Sequence, residues 1–286
     1  MLRNVVVPLD GSKLSDQALD YLRLLAAPQE RPVVTLLGVA EGDGSHREIH
    51  RAGLERHLNA VSEDLRQSGL RVVTHLEVGD PAERILAWVE FERPDLLLMA
   101  THGRSGVLRF LRGSVAERVL RASPVPLLLV NAGETQGRAP SHRPRRILVP
   151  LDGSAEAATI VPVVAATARA IGAEVLLVRV GPDALAGVDH VGERMAELPE
   201  LERTLSLPRA RLASEGLTVR TSVHFGDPAA EILSAAEAAR ADLIAIATHG
   251  RSGVSAWWAG SVTESVLHQT RLPLLVVRSN VGQAAA

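Results

Sequence analysis

The 286-residue sequence predicts an α/β protein built as two doubly wound, five-stranded parallel sheets in tandem. Three observations carry that prediction. Short apolar runs alternate with amphipathic helical segments, so each strand is joined to the next by a crossover. The stretch Ala100-Thr101-His102-Gly103, followed after nine residues by Gly113-Ser114-Val115-Ala116-Glu117, recurs as Ala247-Thr248-His249-Gly250, nine residues, and Gly260-Ser261-Val262-Thr263-Glu264. The opening Pro8-Leu9-Asp10-Gly11-Ser12 recurs as Pro150-Leu151-Asp152-Gly153-Ser154.

In chain order, Asn4 to Leu9 is a β-branched run ending at a turn, and Leu14, Ala18, Tyr21, Leu22 and Leu25 give the next segment, Lys13 to Ala27, helical spacing. Val33 to Val39 reads as the second strand. A charge-rich helix over about 46 to 68 follows the polar Gly42-Asp43-Gly44-Ser45. The third strand, Val72 to Val78, closes at Gly79-Asp80-Pro81, where Asp80 as N-cap and Pro81 behind it start a helix to about Phe91. The fourth strand is the fully apolar Leu96-Leu97-Leu98-Met99-Ala100, as expected of a buried parallel strand. Ser114 and Glu117 form a capping box for a helix that stops before Pro124, and Leu127 to Val130 is the fifth strand. Residues 132–145, rich in Gly, Pro and basic side chains, read as a linker between domains 1–131 and 146–279, with 280–286 as a tail. The Gly-Asp-Pro turn, Ala241-Asp242 and Arg271-Leu272-Pro273 all recur at an offset of 147, five more than the first strand, so extra residues enter between Ser154 and Gly226, around Gly181 to Pro208.

Composition narrows the function. The chain is 46% hydrophobic, 22% charged and carries a net charge of −2, a balance that calls for neither nucleic acid nor a membrane surface as partner. No apolar run reaches the ~18 residues needed to span a bilayer, and the N-terminus enters a strand directly, so a soluble, cytoplasmic protein is expected. Cysteine is absent, which excludes disulfides and thiolate chemistry, and Lys13 is the only lysine, which excludes a Walker-type loop. A strand that ends in a glycine loop and hands over to a capped helix is a seat for an anion, because free helix N–H groups face the loop and Gly103 and Gly113 let backbone approach closely.

The strand ending Pro-x-Asp-Gly-Ser, the Gly-Asp-Pro turn and the Thr-His-Gly loop with nine residues before Gly-Ser, all present twice, resemble the universal stress protein family in its tandem form. The resemblance covers nearly the whole chain and implies a Rossmann-like fold in each half. It also implies ATP as cofactor, bound by a Gly-x2-Gly-x9-Gly-Ser/Thr signature whose first glycine is Ala100 or Ala247 here. By the same resemblance Pro8 and Asp10 lie near the ribose and triphosphate, and the backbone of Val39 holds the adenine edge. Gly103, Gly113, Ser114 and Val115 contact phosphate and ribose. The matching positions in the second half are Pro150, Asp152, Val180, Gly250, Gly260, Ser261 and Val262. Pairing of Leu127 to Val130 with Leu274 to Val277 is implied too, which makes one chain a pseudo-dimer, and a homodimer of chains is a further possibility.

Asp10 and Asp152 have two readings, as ligands of a magnesium ion on the triphosphate or as caps of their turns. His102 and His249 have no accompanying nucleophile and orienting carboxylate, and read as loop-packing residues rather than bases. Trp257-Trp258 read as packing against the sheet or a partner subunit. Arg104, Arg109 and Arg112 make the first loop more basic than the second, which keeps Arg251, so the first site is expected to hold a triphosphate more tightly. The expected function is an ATP-binding stress-response regulator acting through a protein partner or its own assembly, not an enzyme, with at most slow hydrolysis. A nucleotide-free structural protein and an adenylyl-transfer enzyme are the alternatives.

Overall fold

A computed structural model describes residues 2–26, 32–101, 115–131, 142–182, 190–248 and 262–279, and the side chains of all of these except 190–194. The chain divides into two compact units, Met1–Arg143 and Pro144–Ala286.

The first unit runs β1 (Asn4–Leu9), α1 (Gln17–Leu25), β2 (Val33–Ala40), α2 (Gly44–Gln67), β3 (Arg71–Val78), α3 (Pro81–Glu92), β4 (Leu96–Thr101), α4 (Val115–Ala122) and β5 (Leu127–Asn131). Its strands are all parallel in the order β3-β2-β1-β4-β5. The order reverses between β1 and β4, which places the switch point beside Leu9 and Ala100. The inner strands are buried on both faces, as Val5 to Val7 and Leu96 to Leu98 require. On the edge, β3 alternates: Val72 is buried while Arg71 and Val73 are exposed. Leu54, Leu58 and Leu65 seat α2 on the sheet, and Ala82, Ile85 and Val89 seat α3. Burying each large side chain contributes about 1.5–3 kcal/mol.

The second unit repeats the order as β6 (Arg146–Pro150), α5 (Ala155–Ala158), α6 (Val161–Ile171), β7 (Glu174–Gly181), α7 (His190–Ser214), β8 (Val219–Phe225), α8 (Pro228–Ala238), β9 (Leu243–Thr248), α9 (Val262–Gln269) and β10 (Leu274–Arg278). Its parallel strands follow the order β8-β7-β6-β9-β10. The registers locate the length difference between the copies. Val34, opposite Val72 in the first unit, matches Val175 opposite Val219 in the second, so the offset changes from 141 to 147 between β7 and β8. That interval holds α7, which continues through Pro199 and Pro208 and is anchored by buried Leu201, Leu205 and Leu212.

The first helix is shorter than the 13–27 expected from its spacing. Ser15 N–H donates to Ser12 Oγ at 3.1 Å and Ser15 Oγ to Ser12 O at 2.9 Å, so serine side chains satisfy backbone groups that a helix would otherwise claim and delay its start to Gln17. In the second unit the same segment splits, with Ser154 Oγ capping α5 at Ala157 N–H, 3.0 Å away.

One latch is built twice. Asp95 Oδ2 accepts from the amides of Arg3 (2.7 Å) and Asn4 (2.8 Å), and Asp242 Oδ2 accepts from Arg145 (2.8 Å) and Arg146 (3.0 Å). Each aspartate therefore fixes the start of one central strand to the start of its neighbour.

Candidate functional site

Ladder geometry decides which backbone groups face the switch point. In a parallel strand the N–H and C=O of one residue point to the same side, and consecutive residues alternate. Ala40 O accepts from Gly79 N–H at 3.1 Å, on the β3 side, so the carbonyl of Val39 points the other way. There β1 has already ended, since its last paired residue is Leu9, opposite Gly38. The Val39 carbonyl thus lies at the open end of the sheet.

A cavity of about 460 Å3 occupies this place in the first unit. It is lined by Pro8, Leu9 and Asp10 at the end of β1 and by Leu14 and Ser15 from the following turn. Leu37 and Val39 contribute from β2, Glu41 from the turn after it and His50 from α2, Pro81 and Ile85 from α3, Met99, Ala100 and Thr101 from β4, and Val115 and Ala116 from α4. Of the residues expected at the first site, Pro8, Asp10, Val39, Ala100 and Val115 are brought together here. Gly103, Gly113, Ser114, His102 and Arg104, Arg109 and Arg112 lie outside the described residues.

The Asp10 carboxylate accepts from Ser12 N–H at 2.9 Å. Burial pushes its carboxyl up, but the hydrogen bonds from Ser12 and Ser15 together outweigh that and hold it below the usual range. Asp10 is therefore ionised at neutral pH. It is a turn cap and a cavity-lining carboxylate at once. Among the described residues no cluster of three or more His, Asp or Glu side chains could hold a metal ion.

Asp80 fills its expected capping role, with Oδ1 accepting from Glu83 N–H at 2.9 Å, and Asp227 does the same with Ala230 N–H at 2.8 Å. Neither aspartate lines the cavity. At its other end, Glu41 N–H donates to His50 Nδ1 at 3.2 Å, which leaves the ring proton on Nε2. His50 and Glu41 were not legible as site residues, because a histidine on a charge-rich helix gives no signal of the loop end it reaches.

In the second unit Pro150 ends β6, Asp152 follows in the turn, Val180 lies in β7, Ala247 in β9, and Val262 is the first residue of α9. Asp152 Oδ1 accepts from Ser154 N–H at 2.9 Å and from Ser154 Oγ at 2.5 Å. Gly250, Gly260, Ser261, His249, Arg251 and Trp257-Trp258 lie outside the described residues. The residue before Val39 is Gly38 in the first copy, and the residue before its counterpart Val180 is Arg179 in the second.

Comparison with known proteins agrees with this architecture. The sequence model of the universal stress protein family matches residues 1–131 and 144–278. A universal stress protein of Mycobacterium tuberculosis (strain H37Rv) is 28% identical over 309 residues, covering 96% of this chain and 97% of its own length. One from Methanocaldococcus jannaschii is 29% identical over 140 residues, 46% of this chain and 82% of its own. Among solved structures, a universal stress protein from Archaeoglobus fulgidus has a TM-score of 0.70 at 22% identity over 97% of each chain, a likeness of fold.

Proposed function

The chain belongs to the universal stress protein family, and from that premise we propose that its first unit binds ATP in the cavity at the switch point and acts as a stress-response regulator through a protein partner or its own assembly. The single observation that carries this is the cavity itself, which draws Pro8, Asp10, Val39, Ala100 and Val115 from four separate stretches of chain to one place. Its walls suit a purine: Leu37, Ile85 and Met99 are apolar, while the Val39 carbonyl is an acceptor for a 6-amino group.

In this reading the triphosphate runs towards the first turn of α4, where helix N–H groups favour an anion, and Gly103, Gly113 and Ser114 complete its seat. Asp10 supplies one carboxylate to a magnesium ion that phosphate oxygens also hold; a single carboxylate fits that role, because magnesium on a nucleotide takes few protein ligands. No catalytic residue is assigned, and any hydrolysis is slow. No helix among the described residues is long and apolar enough to cross a membrane, and the cytoplasm is the setting this reading assigns.

The test is direct. Protein purified without added nucleotide is denatured and the released small molecules identified by mass spectrometry, and the stripped protein is titrated with ATP and magnesium by calorimetry. Co-purified ATP, or a saturable heat of binding, is expected. Protein that releases no nucleotide and takes up none in the titration overturns the reading in favour of a nucleotide-free structural protein.

A further inference from the structure

The two copies differ in what stands beside the carbonyl that faces the cleft. In the second unit Val178 O accepts from Leu151 N–H at 2.9 Å, on the β6 side. Alternation then turns the Val180 carbonyl to the same side, beyond Pro150 where β6 ends. This is the counterpart of the open Val39 carbonyl. Here it is taken: Arg179 Nη1 donates to Val180 O at 3.2 Å. Arg179 Nε is buried and has no hydrogen-bond partner among the described residues.

A guanidinium is a donor at every nitrogen and stays charged at any physiological pH. An amino-bearing base edge approaching Val180 therefore loses its acceptor and meets another donor in its place. The first unit has Gly38 at the matching position, with no side chain to reach the carbonyl.

A second, independent observation points the same way. At the turn after the first strand, the nearest described group to a Cβ on Gly11 outside its own chain neighbours is Leu54 at 4.0 Å, whereas a Cβ on Gly153 would lie 3.3 Å from Thr204 of α7. At the strand end, a Cβ on Gly181 would lie 2.7 Å from Leu201 and 2.9 Å from Phe225. Leu201 and Thr204 of α7 thus press on the two glycines that end β7 and follow β6, whereas in the first unit α2 presses instead on Gly38.

We infer that Arg179 is a specificity-determining residue that closes the second cleft to adenine, so that the chain takes one adenine nucleotide, in its first unit. The inference rests on the ATP reading of the first unit.

Calorimetric titration with ATP and magnesium tests it through stoichiometry. Wild type is expected to bind one ATP per chain. Arg179→Met, which keeps the stem and removes the donors, is expected to bind two, and Arg179→Lys, which keeps a cationic donor, to stay at one. Arg179→Gly, which copies the first unit, serves if the methionine variant does not fold. Photolabelling with 8-azido-ATP and peptide mapping should mark residues 1–143 alone in wild type and both halves in Arg179→Met. Two sites in wild type, or label in residues 144–286 of wild type, overturns the inference while leaving the ATP reading standing. One site in folded Arg179→Met and Arg179→Gly also overturns it. No binding by wild type overturns the ATP reading, and this inference with it.

Discussion

Arg118 Nη1 donates to Asp80 Oδ2 at 2.7 Å while the other oxygen of the same carboxylate caps α3. One side chain thereby ties the N-terminal turn of α3 to α4, next to Pro81 and Val115 in the cavity wall. In the second unit Ser265 stands where Arg118 does, so the tie belongs to the first copy. The Arg118 guanidinium, with the Glu83 amide, holds the Asp80 carboxyl below its ordinary value of 3.8. A carboxylate whose folded value is depressed contributes stability that is present above the unfolded value and lost as pH falls through the folded one. Melting temperatures of wild type and Asp80→Asn should therefore differ by a constant amount above about pH 5 and converge below 3.8. A gap that persists unchanged into strong acid overturns this account of the tie. Arg118→Met should weaken ATP binding by loosening the cavity wall, with the fold retained by circular dichroism.

Asp10 yields a prediction that tests the proposed magnesium ion. Because its hydrogen bonds outweigh burial and keep it ionised, Asp10 offers a negative oxygen to the cavity at neutral pH. Asp10→Asn keeps an oxygen for Ser12 N–H but loses the charge. ATP affinity should then fall about tenfold when magnesium is present and change little in chelator, since a hard cation discriminates between carboxylate and amide. Calorimetry in magnesium and in EDTA separates the two, and an equal loss in both would remove Asp10 from the metal.

How far the site could be read from sequence follows from what kind of group makes it. The repeated motifs, and the family resemblance they carry, singled out Pro8, Asp10, Ala100 and Val115, which all line the one cavity, because strand ends and helix starts leave a residue signature. The alternation of five strands with helices was legible for the same reason, while the switch point needed the strand order. Val39 was reached through the family resemblance, since a backbone carbonyl has no side chain to show. The delayed start of α1 was hidden because the serines that delay it are common in helices and loops alike. Arg179 was hidden differently: pairing Val39 with Val180 already sets Gly38 against Arg179, but nothing in the sequence shows that the guanidinium turns onto the Val180 carbonyl.

His50 gives a local test of the β2 end of the cavity. Its Nδ1 is the acceptor for Glu41 N–H, an amide at the end of β2 beyond the last ladder partner. Removing the acceptor with His50→Leu leaves that amide without its bond, at a net cost of about 1 kcal/mol. Hydrogen exchange at Glu41 should speed up by roughly fivefold, with the amides of Val34 and Leu36, deep in the same strand, unchanged. Unaltered exchange at Glu41 would show that the bond does not shape the loop.

Gly38 and Gly53 make opposite predictions from the same substitution. A Cβ on Gly38 would lie 2.9 Å from both Leu54 and Leu58, whose side chains are 2% exposed and have nowhere to swing. Alanine there must lift α2 from the sheet, and overpacking of this kind costs about 1–3 kcal/mol. Gly53, inside α2, has no described group outside its own helix turn within 4 Å of its would-be Cβ. Alanine at that position meets no obstacle and removes the entropy that glycine gives the unfolded chain, a gain of about 0.4–1 kcal/mol. Urea unfolding should show Gly38→Ala less stable and Gly53→Ala more stable than wild type. Since Gly38 also keeps the Val39 carbonyl clear, Gly38→Ala should weaken ATP binding while Gly53→Ala leaves it alone. A neutral Gly38→Ala would mean that α2 is not seated on the glycine, and that its absence of a side chain serves only the open carbonyl.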